Sequence, residues 1–121
     1  MRFIHFALIL CCIHACRPAD SIEQEALFGR WDIIKAERNG KETNYLRRGY
    51  FVIGQDGMMT INITGEDESG KYLLQNGKIK MEEDKIFELE SLKGDSLIVT
   101  YIAASNGHFK FYMVKKDENA Q

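Results

Sequence analysis

The chain has 121 residues, 45% of them hydrophobic and 28% charged, which suits one domain with one core. Sixteen basic side chains face 18 acidic ones, so the basic excess that nucleic-acid binding needs is absent. All three cysteines lie in the first 16 residues, and beyond them stands one histidine, His108; a disulfide framework and a zinc site are thereby excluded from the remainder.

Met1-Arg2 opens an apolar run, Phe3 to Ile13, broken only by His5. The run is too short for a bilayer span of about 20 residues, but it suits the core of an export signal. It ends in Ile13-His14-Ala15-Cys16, which resembles the lipobox of bacterial lipoproteins: an aliphatic residue, a small one, then the cysteine that is acylated. The resemblance implies a signal peptide over 1–15, lipidation at Cys16 and a membrane partner reached through that anchor. The competing readings are an ordinary signal cleaved near Ala15 or Ala19 and a core segment with incidental cysteines. Several acyl chains on one residue hold a protein stably at a membrane where one does not. Arg17 stands where some bacteria use Asp to retain lipoproteins in the inner membrane, so the resemblance favours the outer membrane. Loss of residues 1–15 removes Arg2 and leaves 15 basic against 18 acidic groups, a net charge of −3.

Residues 16–21, with the sole Pro18, read as a tether. Ser21 followed three residues later by Gln24 fits a capping box, and predicts a short helix closing one end of the domain. Gly29-Arg30-Trp31 follows, with the only tryptophan two residues after a glycine; Gly29 and Trp31 share a face of the first strand, and the ring is expected to lie across the space the glycine leaves. Beyond it no apolar period of 3.6 persists over three turns. Two-residue alternation dominates instead: Met59, Ile61 and Ile63, then Ile79 and Met81, Phe87 and Leu89, and Phe109, Phe111 and Met113. Asp56-Gly57, Asn76-Gly77 and Asn106-Gly107 supply tight turns, while Gly65, Gly70 and Gly94-Asp95 mark looser ones and Asp84-Lys85 another tight one. These signals predict eight strands over 29–38, 49–54, 58–64, 70–75, 78–83, 86–92, 96–103 and 108–115. The fold class is all-β: an eight-stranded antiparallel up-and-down meander, closed into a barrel because closure removes the two free edges. One connection is long, Asn39 to Arg48, and contains Tyr45, Leu46 and Arg47; a lid over one mouth and a surface loop are both compatible with it. The domain spans 22–116, and residues 117–121 form a polar tail expected to fray.

Gly29-x-Trp31, the preceding short helix, the long first loop and the meander together resemble the lipocalin-like (calycin) barrels, and in particular those of small bacterial lipoproteins. Asp56-Gly57, Gly70-Lys71-Tyr72, Asp95-Ser96-Leu97 and Phe111-Tyr112-Met113-Val114-Lys115-Lys116 fit that group, over residues 22–116. Two features depart from larger lipocalins. The Thr-Asp-Tyr turn is absent, and the late arginine that packs over the tryptophan is replaced by Lys115 or Lys116. The match is to the common framework, so the transport functions of larger lipocalins are not implied.

Chemistry is sparse. Ser105-x-x-His108 straddles a hairpin with no acid to orient the ring. Glu66-Asp67-Glu68 and Glu82-Glu83-Asp84 read as solvated turn charge without calcium-loop spacing. No catalytic residue, metal or cofactor is expected. Inward positions are expected at Trp31, Ile33, Phe51, Ile53, Met59, Ile61, Ile63, Tyr72, Leu74, Ile79, Met81, Phe87, Leu89, Leu97, Val99, Tyr101, Phe109, Phe111 and Met113. Within that set, Phe51, Met59, Ile61, Tyr72, Met81, Phe87, Tyr101 and Phe111 are the candidate ligand-facing interior. Large side chains throughout predict a mostly filled barrel with at most a shallow pocket at the mouth. Two non-enzymatic functions follow. The favoured one is a surface that engages a protein, glycan or other cell-envelope component, with Ile34, Tyr50, Val52, Ile98, Ile102 and Tyr112 as the exposed apolar candidates. The alternative is a barrel mouth that binds a small hydrophobic ligand such as an acyl chain.

Overall fold

Alternating apolar residues bounded by positive-φ turns fold here as a continuous antiparallel meander. A computed structural model describes residues 22–44, 48–82, 85–103 and 107–116. The signal, Cys16, the Ser21 cap, Tyr45 to Arg47, Glu83-Asp84, Ser105-Asn106 and the tail lie outside those residues. The strands are β1 (Gly29–Arg38), β2 (Lys41–Glu42), β3 (Tyr50–Ile53), β4 (Met58–Asn62), β5 (Asp67–Gln75), β6 (Lys78–Met81), β7 (Lys85–Lys93), β8 (Ser96–Ile102) and β9 (His108–Lys115). Each strand from β3 onward pairs with its sequence neighbour, β1 pairs with β3, and β9 returns to pair with β1. The result is a closed eight-stranded antiparallel barrel.

β2 stands outside that count. Asn39 (φ 50°) and Gly40 (φ 82°) form a tight reversal, after which Lys41 and Glu42 pair back onto Arg38 and Glu37. The expected undivided loop from Asn39 is thus a hairpin at its start, and Asn39-Gly40 carries the same turn chemistry as the other hairpins. β5 also differs from expectation. It begins at Asp67, so Gly70 lies mid-strand rather than in a turn, and Asp67 and Glu68 are strand residues rather than loop acids. Lys85 likewise opens β7.

Ahead of β1 the described residues carry a single 3-10 turn, Gln24–Leu27, whose N-cap position is Glu23 without a side-chain cap. It crosses the end of the barrel at which β1 starts. There Trp31 Nε1 donates to the Leu27 carbonyl at 2.9 Å. Gln24 Nε2 donates to the Tyr72 hydroxyl at 2.9 Å, and that hydroxyl donates to the Gly54 carbonyl at 2.8 Å. With Ile22, Leu27 and Trp31 buried, this end is a closed floor.

Gly29 does not make room for the tryptophan. Its φ of +121° is one that L side chains rarely adopt, and a Cβ there would sit 3.1 Å from Cε of Lys115. The lysine stem fills the space, and its ammonium lies 5.7 Å from the Trp31 ring centroid, as the register pairing Trp31 with Lys115 requires. Of the two candidate lysines, Lys115 is the one above the ring.

Strict alternation breaks twice. Between Ile33 and Lys35 the β1–β9 register shifts, Ile34 is left out toward solvent, and Ala36 turns inward, fully buried. Continued alternation would have aimed Lys35 into the core, an unpaired buried charge that costs far more than a bulge. A second shift between Leu89 and Ser91 packs Leu92 against the core. The interior therefore contains a small residue, Ala36, where only large side chains were expected. The other expected inward residues are buried or half-buried, and no buried side-chain polar atom lacks a partner among the described residues.

Candidate functional site

Opposite the floor lies the mouth of the barrel. Its strands finish at Arg38, Asn62, Met81 and Ile102 and restart at Tyr50, Asp67, Lys85 and His108. Inside the mouth lies a cavity of about 200 Å³, lined by Ile61, Ile63, Thr64, Glu68, Lys85, Phe87, Tyr101, Phe109 and Phe111. Inward alternation on β4, β7, β8 and β9 delivers the apolar members from four strands.

An aromatic cluster forms its base. Phe51 meets Phe87 edge-on at a centroid distance of 5.1 Å and Phe111 at 6.0 Å, the T-shaped geometry that ring quadrupoles favour. From that base the rings climb one wall: Phe87 to Tyr101 at 5.1 Å, Tyr101 to Phe109 at 6.1 Å and Phe109 to Phe111 at 6.3 Å. The Arg38 guanidinium lies 5.7 Å from the Phe109 centroid at the rim. Phe51, Phe87 and Phe111 are fully buried, so they separate the cavity from the packed lower core.

The rim is polar in a way the sequence reading missed. Glu68 pairs with Ile61 across β4–β5, so its side chain leaves the inner face of β5, and it forms an ion pair with Lys85. The sequence reading had assigned the acids to turns or outward positions. β5 pairs with β6 only from Tyr72 onward, so its upper half, Asp67 to Lys71, faces Lys85 of β7 across a gap. The ion pair bridges that gap. Beside it lies a polar cleft of about 260 Å³ bordered by Ser69, Gly70, Met81 and Glu82, with Glu68 and Lys85 lining both cleft and cavity.

Of the eight candidate ligand-facing residues, Ile61, Phe87, Tyr101 and Phe111 line the mouth cavity. Phe51 lies beneath it, Met59 is buried in the core, Tyr72 is tied to the floor, and Met81 borders the polar cleft. Ile63, Thr64, Glu68, Lys85 and Phe109 also line the cavity without having been in that set. Ile63 and Phe109 were legible as inward residues; the two charged residues were not, because their pattern matches solvated turns. His108 is exposed at the start of β9, where its backbone N–H donates to Asn39 Oδ1 at 2.9 Å. Among the described residues no three of His, Cys, Asp and Glu converge to hold a metal.

Near the mouth, the outer wall where β3, β4 and β5 meet is polar and laddered. The Tyr50 hydroxyl donates to Asp67, whose carboxylate also accepts from Asn62 Nδ2 at 2.8 Å. The Tyr50 bond, then the Asn62 bond, hold the Asp67 carboxyl below its usual range, and the same tyrosine–aspartate contact raises the Tyr50 phenol. Of the expected apolar surface residues, Ile34 and Ile102 are exposed, while Tyr50, Val52, Ile98 and Tyr112 are half-buried. Arg30 covers the Tyr50 ring at 4.1 Å, and Lys35 and Lys110 flank Tyr112 at 5.0 and 5.5 Å. Ile98 pairs with Tyr112 across β8–β9, and Ile34 stands at the β1 bulge beside the same tyrosine.

Compared with known proteins, the chain matches no family model and no curated protein sequence.

Proposed function

We propose that this chain is a non-enzymatic binding module of the bacterial cell envelope: a lipoprotein anchored through Cys16, by its lipobox and Arg17 at the outer membrane, with a lipocalin-like barrel whose mouth takes a small apolar group. The observation that carries the reading is the open cavity of about 200 Å³ walled by Ile61, Ile63 and four aromatic rings. An apolar cavity of about 150 Å³ holds benzene, whereas drug-sized ligands need about 300 Å³ or more. The size suits one aromatic ring or the end of an acyl chain, not a whole lipid. Lys115 above Trp31 and the 3-10 turn across the floor support the lipocalin-like reading. Among the described residues, the ion-paired Glu68 and Lys85 are the only charged residues on the cavity wall, which suits holding a ligand better than acid–base chemistry.

The test is methyl NMR of the mature protein titrated with toluene and, separately, with decanoate. Saturable shifts confined to Ile61 and Ile63 are expected, and Ile63→Phe should abolish them by filling the cavity with the fold intact. Absence of saturable shifts at both methyls with both probes refutes the reading.

A further inference from the structure

The outer wall formed by β4 to β7 carries apolar side chains that stand exposed among the described residues. Met58 lies beside Lys71 across β4–β5, and one row further Leu73, Lys80 and Ile86 stand in line across β5, β6 and β7. Leu73 is 68% exposed, and Met58 and Ile86 are each 39% exposed. Lys78, in the next row, pairs with Glu88 at 3.8 Å; Lys71 and Lys80 form no ion pair among the described residues. Asp56 and Glu82 border the same recess, and Asp56 is engaged by the Met58 N–H at 3.0 Å.

The chain reaches the barrel beside this wall. Gln24 is bonded to Tyr72, the residue before Leu73, and the Tyr72 N–H donates to the Gly57 carbonyl next to Met58 at 3.0 Å. Ile22 is already buried in the core. Given the lipid anchor proposed above, on which this inference rests, five residues separate acylated Cys16 from Ile22, a reach over the six Cα–Cα steps of at most about 20–22 Å. So short a tether keeps the barrel beside the bilayer, and Gln24, two residues past Ile22, is bonded to Tyr72 of β5.

We propose that Met58, Leu73 and Ile86, with Lys71 and Lys80, form the membrane-facing surface of this protein. The apolar side chains enter the boundary between headgroups and acyl chains. The two lysine stems lie along them, and their ammonium groups reach the lipid phosphates. Interleaving of long cationic and apolar side chains is the chemistry that boundary selects.

The experiment uses the full chain, expressed with its own N-terminal segment in a Gram-negative host. The protein is extracted from membranes and reconstituted into vesicles of phosphatidylethanolamine with a smaller share of phosphatidylglycerol. Spin labels are placed by Leu73→Cys and, as control, by Ile34→Cys, which is equally apolar and 53% exposed on β1. Intact mass of the same sample reports acylation at Cys16. The expected result is acylated protein in which label 73 loses collisions with a water-soluble nickel chelate and gains them with oxygen, while label 34 stays in water. Lys71→Glu with Lys80→Glu should restore nickel access at 73. Acylated protein with both labels equally accessible to nickel overturns the surface and leaves the anchor standing. Spin–spin broadening at 73 overturns it in favour of a second copy. Cys16 without acyl chains overturns anchor and surface together.

Discussion

Truncating Trp31 to alanine tests whether the floor is built as described. Trp31 is fully buried and its indole N–H is spent on the Leu27 carbonyl at 2.9 Å. A buried tryptophan removes about 150–250 Å² from water, which at about 25 cal/mol per Å² corresponds to roughly 4–6 kcal/mol. A compact denatured chain lowers that by about 10–40%, and the lost hydrogen bond adds about 1 kcal/mol. The net cost is about 3–6 kcal/mol, against a total of about 5–15 kcal/mol for a domain of this size. Trp31→Phe separates the two contributions, because it keeps most of the ring but frees the Leu27 carbonyl; its cost should be about 1–3 kcal/mol. The assay is urea unfolding followed by far-UV circular dichroism, since the substitution removes the only tryptophan. In the wild type the emission should be blue-shifted. A cost below about 1.5 kcal/mol for Trp31→Ala, less than large core truncations show, would refute the closed floor.

Gly29→Ala should lose about 1–3 kcal/mol, the usual cost of forcing a side chain into sparse backbone space, because φ is +121° there and Lys115 fills the position above it; equal urea midpoints would count against it. Ala36→Leu should destabilise by a similar 1–3 kcal/mol through overpacking, since the bulge turns this residue into the core; an unchanged midpoint would mean that spare space lies beside it. In Tyr50→Phe the Asp67 carboxyl should titrate at higher pH, read by carboxylate NMR, because the lost bond is the main cause of its lowered value. A depressed folded-state pKa gives stability that is present above the unfolded value of about 3.9 and lost as pH falls through the folded value. The difference between wild type and variant should therefore shrink on acidification, and a pH-independent difference would refute the assignment.

The strands were legible because one wet face and one dry face force a period of two, and because Asn-Gly and Asp-Gly carry their own turn geometry. Trp31, Phe51, Phe87 and Phe111 could be assigned to the interior from the sequence on that ground alone. A local period cannot anticipate its own interruption. The bulges that expel Ile34 and bring in Ala36 and Leu92 arise where closing the barrel meets a residue, such as Lys35, that cannot be buried. The site was half legible for the same reason: Ile61, Phe87, Tyr101 and Phe111 follow from alternation. Glu68 and Lys85 are 17 residues apart and each reads as solvated charge. They meet at the mouth only because β6 is short and leaves upper β5 facing β7, a fact of strand lengths around a closed sheet rather than of either residue's neighbours.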